Sequence, residues 1–303
     1  MKPFSYIWLS ELNFKIVKYL FLITTILLIG FIFNSCKKEK EDKEEYDQST
    51  APISNAKIEN AYDEMTNMSD QAMKGDLVYY KSPKVTFVYV EKESTISFLE
   101  KEACNVLVTL DTISTTRTIT IDWGSTNCDC NDGKQRRGKI ITTFTGKYRD
   151  QGTVITHTPI DYYVNNNKIE GTKTVSNMGL NSNGHPYFNV IIDGTVTMSN
   201  GDVFTYHSTR VRTWTNGYTT LLNFFDDEYD ITGNANATST NNNGYVANIT
   251  SPLHIKVGCP YITSGKVEFT PTDKPLRIID YGSGTCDATF TVTINGVTYT
   301  VNG

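Results

Sequence analysis

An eight-residue motif occurs twice and holds the residue types with the clearest chemical potential. The segment D-W-G-S-x-x-C-D at 122–129 matches D-Y-G-S-x-x-C-D at 280–287, with six of eight positions equivalent when Trp and Tyr are counted together. Each copy follows a predicted strand. The body should therefore contain two related β halves, at about 76–135 and 255–303, on either side of a meander. The repeated turn residues are Asp122, Trp123, Gly124, Ser125, Asp280, Tyr281, Gly282 and Ser283.

The repeat also suggests a disulfide pattern. Cys104 lies 24 positions before Cys128, and Cys259 lies 27 positions before Cys286. A hairpin brings its strand ends together, so we predict the pairs Cys104–Cys128 and Cys259–Cys286. Closing a loop of this length contributes roughly 3.5 kcal/mol in the chain-entropy model. Cys130 would then be free, although it lies close enough to Cys128 to replace it, and reduced thiols throughout are a third possibility.

The repeated turn has a structural and a catalytic interpretation. Asp and Ser side chains bond to turn backbone, and Gly adopts conformations that other residues avoid. Catalysis by Ser125 or Ser283 would need a nearby base, and none lies within reach along the sequence. We therefore predict a structural turn and no catalytic residues.

Metal and cofactor sites are not expected. The four histidines are scattered, and Cys128-Asp-Cys130 lacks a second pair at metal-ligand spacing. Residues 127–133 resemble a calcium loop, but Gly133 falls one position late, which favours a polar turn. The acidic stretch at 226–230 is expected to be a solvated loop.

Several features bear on partners. The net charge of −5 disfavours a nucleic-acid partner, which requires clustered Lys and Arg. The 18 tyrosines include the pairs at 79–80 and 162–163, which could stack on sugars. Aromatic residues are also normal in half-buried strands. We expect the chain to contact a membrane through a lipid. We also expect a glycan or a protein as its partner.

The N-terminus has the pattern of a secretory signal. Lys15 and Lys18 precede a fifteen-residue apolar run at 19–33, and Cys36 follows after Ser35. A spanning helix usually needs about 20 apolar residues. The segment resembles the lipobox of bacterial lipoproteins, although residues 33 and 34 depart from the preferred Leu and small residue. The resemblance implies a signal peptide at 1–35 and acylation of Cys36; an uncleaved single-pass anchor is the alternative.

Residues 37–45 are charged at every position, which predicts a flexible tether over 36–53. A charged run after the lipidated cysteine also resembles the surface-export signal of Bacteroidota lipoproteins. Together with a threonine-rich β body, the chain resembles the β-rich lipoproteins of Bacteroidota. That resemblance implies a lipid anchor on the outer membrane, facing the periplasm or the surface, and implies no activity.

One amphipathic helix is predicted at 54–75. Apolar residues recur at three- and four-residue steps, Ser54 can cap the N-terminus, and Gly75 can end the helix. The stripe comprises Ile58, Ala61, Tyr62, Met65, Met68 and Ala72.

The remainder, 76–303, reads as an antiparallel β body. Asn-Gly pairs mark hairpins, and no βαβ alternation appears. Long strands are predicted at Thr153–Val164, Tyr187–Ser199 and Val203–Thr215. The fold class is therefore all-β: a long-stranded antiparallel meander, arranged as a barrel, curved sheet or sandwich, with one N-terminal helix. The Asn-Gly pairs begin at Asn183, Asn200, Asn216, Asn243 and Asn295.

The register around Asn200 has two possibilities. A two-residue turn would place Val196 beside Thr205, whereas a three-residue loop would place Val196 beside Phe204. The second matches apolar with apolar, and we favour it because a one-residue slip turns every side chain to the other face.

The sequence favours a lipid-anchored, non-catalytic binding or structural module of the cell envelope. Two alternatives are an envelope hydrolase, for example one acting on glycans, whose acids converge only in three dimensions, and a carrier of an apolar ligand. Paired carboxylates in a cleft would favour the hydrolase, and a large apolar cavity would favour the carrier.

Overall fold

The computed structural model describes residues 50–73, 84–90, 105–111, 116–130, 132–220, 226–259 and 261–302. Residues from Gln48 onward form one compact unit. The predicted signal peptide, Cys36 and the charged run at 37–45 lie outside the described residues, as do Gly75 and Cys104.

The described part consists of one helix and fifteen strands. Their bounds are α1 (Thr50–Met73), β1 (Lys84–Val90), β2 (Asn105–Asp111), β3 (Arg117–Asp122), β4 (Cys128–Asp129), β5 (Gln135–Phe144), β6 (Val154–Val164), β7 (Asn167–Leu180), β8 (Pro186–Thr197), β9 (Val203–Asn216), β10 (Glu228–Ser239), β11 (Tyr245–Lys256), β12 (Ser264–Pro271), β13 (Arg277–Ser283), β14 (Thr289–Ile294) and β15 (Val297–Asn302).

All strands belong to one sheet, in which successive strands are neighbours and the short β4 pairs only with β5. The all-β meander with one helix is thereby confirmed. Its path runs from β1 to β15, and these two strands do not pair, so the described sheet is open. Long strands with apolar residues on one face favour this arrangement, because the buried face can pack on α1 while the other stays solvated.

One pairing contradicts the expectation of a purely antiparallel sheet. Strands β1 and β2 are parallel, with Lys84 opposite Asn105. Parallel neighbours need a crossover of about a dozen residues or more. The segment 91–104 is long enough for such a crossover. The sequence shows no βαβ alternation, so the parallel pair was not predicted.

Helix α1 begins four residues earlier than predicted, so Ser54 lies within it and is not its cap. The predicted apolar stripe is confirmed, since all six of its residues are buried. The helix lies on the inner face of the sheet, where the Tyr62 hydroxyl donates a 2.6 Å hydrogen bond to the Glu170 carbonyl. Gly194 makes this approach possible, because a Cβ there would overlap the Tyr62 hydroxyl.

The hairpin predictions hold. The three predicted long strands correspond to β6, β8 and β9, and each Asn-Gly pair lies at the end of a strand or between strands. At Asn200 the register is the favoured one, with Val196 opposite Phe204. Asn295 and Gly296 have φ of 51° and 82° in a two-residue turn, as their residue types predict.

Candidate functional site

The two repeated turns have the same local structure. The amide of Gly124 donates to Asp122 Oδ1 at 2.8 Å, and the amide of Gly282 donates to Asp280 Oδ1 at 3.0 Å. Both glycines have positive φ. Ser125 and Ser283 are exposed. The geometry supports the structural interpretation, in which each Asp accepts a hydrogen bond from the backbone amide two residues later, at the end of β3 in the first copy and within β13 in the second.

Each of these aspartates also meets a lysine on a neighbouring strand. Asp122 lies 3.3 Å from Lys139 of β5, and Asp280 lies 2.9 Å from Lys266 of β12. The hydrogen bonds from Lys266 and then from the Gly282 amide lower the pKa of Asp280. One lysine comes from the following strand and the other from the preceding strand, so the similarity is confined to the turns.

The aromatic positions of the repeat are buried to different degrees. Trp123 is buried against Tyr162, with ring centroids 5.5 Å apart. Tyr281 is half-buried against Phe290, and burial raises its pKa to about 12. Both rings therefore pack against neighbouring side chains of the sheet.

One of the two predicted disulfides is confirmed. Cys259 and Cys286 are bonded, with their Cα atoms 5.9 Å apart. Cys130 is a free, buried thiol, as expected. Cys128 is buried. Its pairing with Cys104 stays a prediction, since Cys104 lies outside the described residues.

A buried group of polar side chains lies between α1 and the sheet. We call it the His157 cluster: His157, Thr142, Ser69 and Thr66. Thr142 Oγ1 lies 2.8 Å from His157 Nδ1 and 2.7 Å from Ser69 Oγ, while Thr66 Oγ1 lies 3.3 Å from Nε2. Ser69 also donates to the Met65 carbonyl. The cluster therefore ties two turns of the helix to two strands.

Burial decides what the His157 cluster can do. Burial, and then the positive charges of Lys173 and Arg212, lower the pKa of His157 to about 3. The ring is therefore neutral at physiological pH and bonds to hydroxyl groups. The adjoining cavity of about 40 Å³ has room for water but not for a lipid. The cluster therefore holds the helix against the sheet through buried polar contacts.

Acidification should weaken the fold through His157. The unfolded chain gains a proton below a pKa of about 6.5, whereas the folded chain gains it only near pH 3. Stability is therefore complete above pH 6.5 and lost as pH falls. Between pH 7 and pH 5 the loss is about 2 kcal/mol. Urea unfolding at both pH values should show this difference for the natural chain and for His185→Gln, and a smaller one for His157→Gln; an equal loss in all three would contradict the assignment.

A second contact between α1 and the sheet consists of ion pairs. We call it the Arg136 cluster: Arg136, Asp132, Glu64 and Lys134. Arg136 has no exposed surface and donates to Asp132 through both terminal nitrogens, at 2.8 and 2.7 Å, and to Glu64 at 2.9 Å. Lys134 also binds Glu64. Asp132 thus binds Arg136. This ion pair gives the acidic residue of the calcium-like segment 127–133 a structural role.

The acidic stretch at 226–230 is not the solvated loop that was expected. Glu228 and Asp230 begin β10, where Asp230 Oδ1 lies 2.8 Å from His254 Nδ1. Asp227 is buried and accepts hydrogen bonds from Trp214 Nε1 and Tyr229. Burial raises the pKa of Asp227. Two of these partners, Trp214 and His254, lie on the neighbouring strands β9 and β11, so the sequence of the stretch alone did not reveal them.

Tyr162 and Tyr163 do not form the sugar-stacking face that was considered. Tyr162 is fully buried, and the Arg137 guanidinium covers the Tyr163 ring at 3.6 Å from its centroid. Tyr79 and Tyr80 lie outside the described residues. The aromatic side chains that cluster elsewhere form a second small core around Phe188 and Trp214.

A chain of polar side chains crosses the outer face of the sheet. His207 Nδ1 lies 2.5 Å from Asp193 Oδ1, and Thr209 Oγ1 lies 3.3 Å from His207 Nε2. This order of hydroxyl, imidazole and carboxylate is that of a hydrolase triad. The Asp193 and His207 side chains are 64% and 45% exposed, however, so water screens the pair strongly. We interpret it as part of a solvated polar surface.

A large concave feature lies at one end of this outer face. We call it the hairpin cleft; it has a volume of about 790 Å³ where the β10–β11 and β12–β13 hairpins meet. Asn242 holds its rim by donating to Asp273 at 2.7 Å. The walls combine hydroxyl, amide and charged side chains with apolar ones, and the apolar surface is the larger part. The lining residues are Asn236, Ala237, Thr238, Tyr245, Val246, Thr270, Pro271, Thr272, Asp273, Lys274 and Pro275.

The sequence did not reveal this cleft. Its residues come from three strands and a loop, and no motif joins them. The available signal was the alternation of Thr and Asn with other residues along β10, and of polar with apolar residues along β12. Such alternation predicts a solvated strand face but not which strands become neighbours.

Two further observations concern the described residues as a whole. They contain no group of three or more His, Cys, Asp or Glu side chains that could hold a metal ion. The helix among them lacks the combination of length and apolar character needed to cross a membrane. Comparison with known proteins gives no match: no family model, no curated protein and no solved structure is similar to this chain.

Proposed function

We propose that the chain is a lipid-anchored, non-catalytic binding protein of the cell envelope, and that the hairpin cleft with the adjoining outer face binds a glycan. The observation that supports this is the cleft itself, which is open to solvent and sets apolar surface beside hydroxyl and amide side chains. Such groups donate and accept hydrogen bonds with little loss of side-chain entropy, which suits a ligand rich in hydroxyl groups.

The outer face extends this surface across the sheet. Residues opposite one another in successive strands form a row in which every side chain is exposed or half-buried. Adjacent strands lie about 4.8 Å apart, so the row presents hydroxyl and amide groups at a regular spacing to an extended polar ligand. Its members are Thr118, Thr143, Thr156, Thr174, Ile191, Thr209, Asn234 and Asn248.

A binding experiment tests the proposal. Residues 46–303, which include the compact unit, would be screened against soluble glycans and insoluble polysaccharides. Thr238→Arg with Thr270→Arg fills the cleft and should weaken binding by tenfold or more. Ser182→Arg with Asn183→Arg adds the same charge at the exposed turn between β7 and β8, outside both the cleft and the row of the outer face, and should leave binding unchanged. Equal binding by both double variants would contradict the assignment of the cleft.

The anchor is a separate part of the proposal and rests on the sequence at 19–36. Cys36→Ser should abolish incorporation of radiolabelled palmitate and release the protein from the membrane fraction, because acyl chains provide the anchoring free energy. Ser35→Ala keeps a small residue before the cysteine and should be lipidated normally. Unchanged labelling of the Cys36→Ser chain would refute the anchor.

A further inference from the structure

The outer face of the sheet has a broad area without ionisable side chains. The row that runs from Thr118 in β3 to Asn248 in β11 crosses eight strands and contains only Thr, Asn and Ile. We call it the outer row. A second row, two residues along the strands, is also neutral, and its side chains are exposed or half-buried. Its members are Val154, Ser176, Asn189, Val211 and Thr232.

Ordinary protein surfaces are more highly charged than these two rows. Charged residues make up about 25–35% of a typical surface, so an area of this size would be expected to hold about three or four of them. Here the charged groups lie at its boundaries. Asp111 faces Thr118 from β2, and Glu268 faces Asn248 from β12. Asp193, two positions from the row, binds His207.

Two lysines lie on the same face, further along β5 and β7, and both are paired. Lys139 lies 3.3 Å from Asp122, and Lys168 lies 2.7 Å from Glu170. An anionic polymer on the outer row would therefore approach the carboxylates at the boundaries, while these two ammonium groups are already neutralised. The charge distribution favours an uncharged ligand.

The spacing of the outer row favours an extended chain. Adjacent strands lie about 4.8 Å apart, which is nearly the advance of one sugar in an extended β-1,4-linked polysaccharide. Each sugar then lies over one strand, where its hydroxyl groups meet those of Thr and the amides of Asn. Ile191, which is 40% exposed, offers an apolar contact to the C–H face of a sugar ring. Chains with α-1,4 linkages coil and would leave the row after a few sugars.

We propose that the ligand is an uncharged β-1,4-linked polysaccharide that binds along the outer row, with one sugar over each strand. This inference rests on the proposed function and specifies its ligand. The hairpin cleft adjoins the row, because its residues Asn236 and Val246 lie two positions from Asn234 and Asn248. One end of the bound chain therefore reaches the cleft.

The dependence of affinity on chain length tests the use of the row. Isothermal titration calorimetry on residues 46–303 would compare the disaccharide with the hexasaccharide of cellulose, of chitin and of mannan. In the series that binds, the hexasaccharide should bind roughly tenfold or more tightly than the disaccharide, because it contacts more strands. Amylose, which is α-linked, and alginate, which is acidic, should bind more weakly than the hexasaccharide.

A change of charge tests the location. Thr143→Lys with Thr174→Lys places two ammonium groups in the outer row and should weaken hexasaccharide binding by roughly tenfold or more. The same variant should gain affinity for alginate that is lost at high salt, since exposed charges are screened. Ser182→Lys with Asn183→Lys is the matched control, because it adds the same charge at the exposed turn between β7 and β8. It should bind as the natural chain does, and circular dichroism confirms that both variants retain their strands.

The outcomes separate this inference from the proposed function. Equal affinity for disaccharide and hexasaccharide, binding of amylose or alginate as tight as that of the hexasaccharide, or a Thr143→Lys and Thr174→Lys variant that binds like the natural chain would overturn the inference. So would binding of some other glycan in the wider screen and of none of the three β-1,4 series. Each of these results leaves a glycan as the ligand, whereas failure to bind any glycan would overturn both proposals.

Discussion

Arg136→Met should lower the free energy of unfolding by about 3–5 kcal/mol, which is a large part of the stability of an ordinary domain. The guanidinium is fully buried and bonds to Asp132 and Glu64. Methionine fills similar space but leaves both carboxylates in a poorly solvated site without their main partner. The remaining Lys134 ammonium, which is partly exposed, replaces only part of that interaction.

Denaturant unfolding measures this loss, and the matched control is Lys256→Met. Lys256 pairs with Glu228 at 2.8 Å, but its side chain is 53% exposed. An exposed pair contributes only up to about 1 kcal/mol, so the same substitution should change stability little there. Similar losses for the two variants would show that burial does not determine the contribution of Arg136.

The sequence predicted those parts of the fold that depend on local chemistry. Alternation along 187–199 indicated which side chains face the core, and Phe188 and Val196 are indeed buried. Asn-Gly pairs predicted hairpins because both residue types tolerate positive φ. The parallel pairing of β1 with β2 could not be predicted in this way, since it depends on a crossover and not on any property of the two strands.

The start of α1 was misplaced for a related reason. Ser54 has the side chain of a capping residue, but nothing local prevents the helix from extending back to Thr50. Residues 50–53 offer good or neutral helix formers apart from Pro52, and proline is tolerated in the first turn of a helix. Ser54 is therefore a residue type that commonly caps helices, but the helix begins four residues before it.

The polar clusters were harder to predict than the core. His157, Arg136 and Asp227 are separated from their partners by up to 91 positions, and a buried polar residue has no periodic signature of its own. Their burial could be inferred only once the strand neighbours were known. The cysteines differ, because the repeated spacing itself indicated the pairing of Cys259 with Cys286.

Replacing both Cys259 and Cys286 with Ser should lower the free energy of unfolding by about 3.5 kcal/mol. The bond spans 27 positions and encloses β12 and β13, so its loss releases conformational freedom in the unfolded chain. β13 and the two strands after it form the terminal part of the sheet, with described strands on one side only. We expect their amides to exchange hydrogen sooner in the double variant, while amides of β6 to β9 keep their protection until global unfolding.

Cys130→Ala is the matched control for this prediction. It also removes a cysteine side chain, but Cys130 is a free thiol, so no covalent loop opens and the β13–β15 amides should exchange as in the natural chain. The bond can be checked directly by peptide mapping without reductant, which should recover the segment around Cys259 joined to that around Cys286. Recovery of Cys286 joined to Cys128 would overturn the pairing, because it would link the two copies of the repeated motif instead of closing a loop within the second.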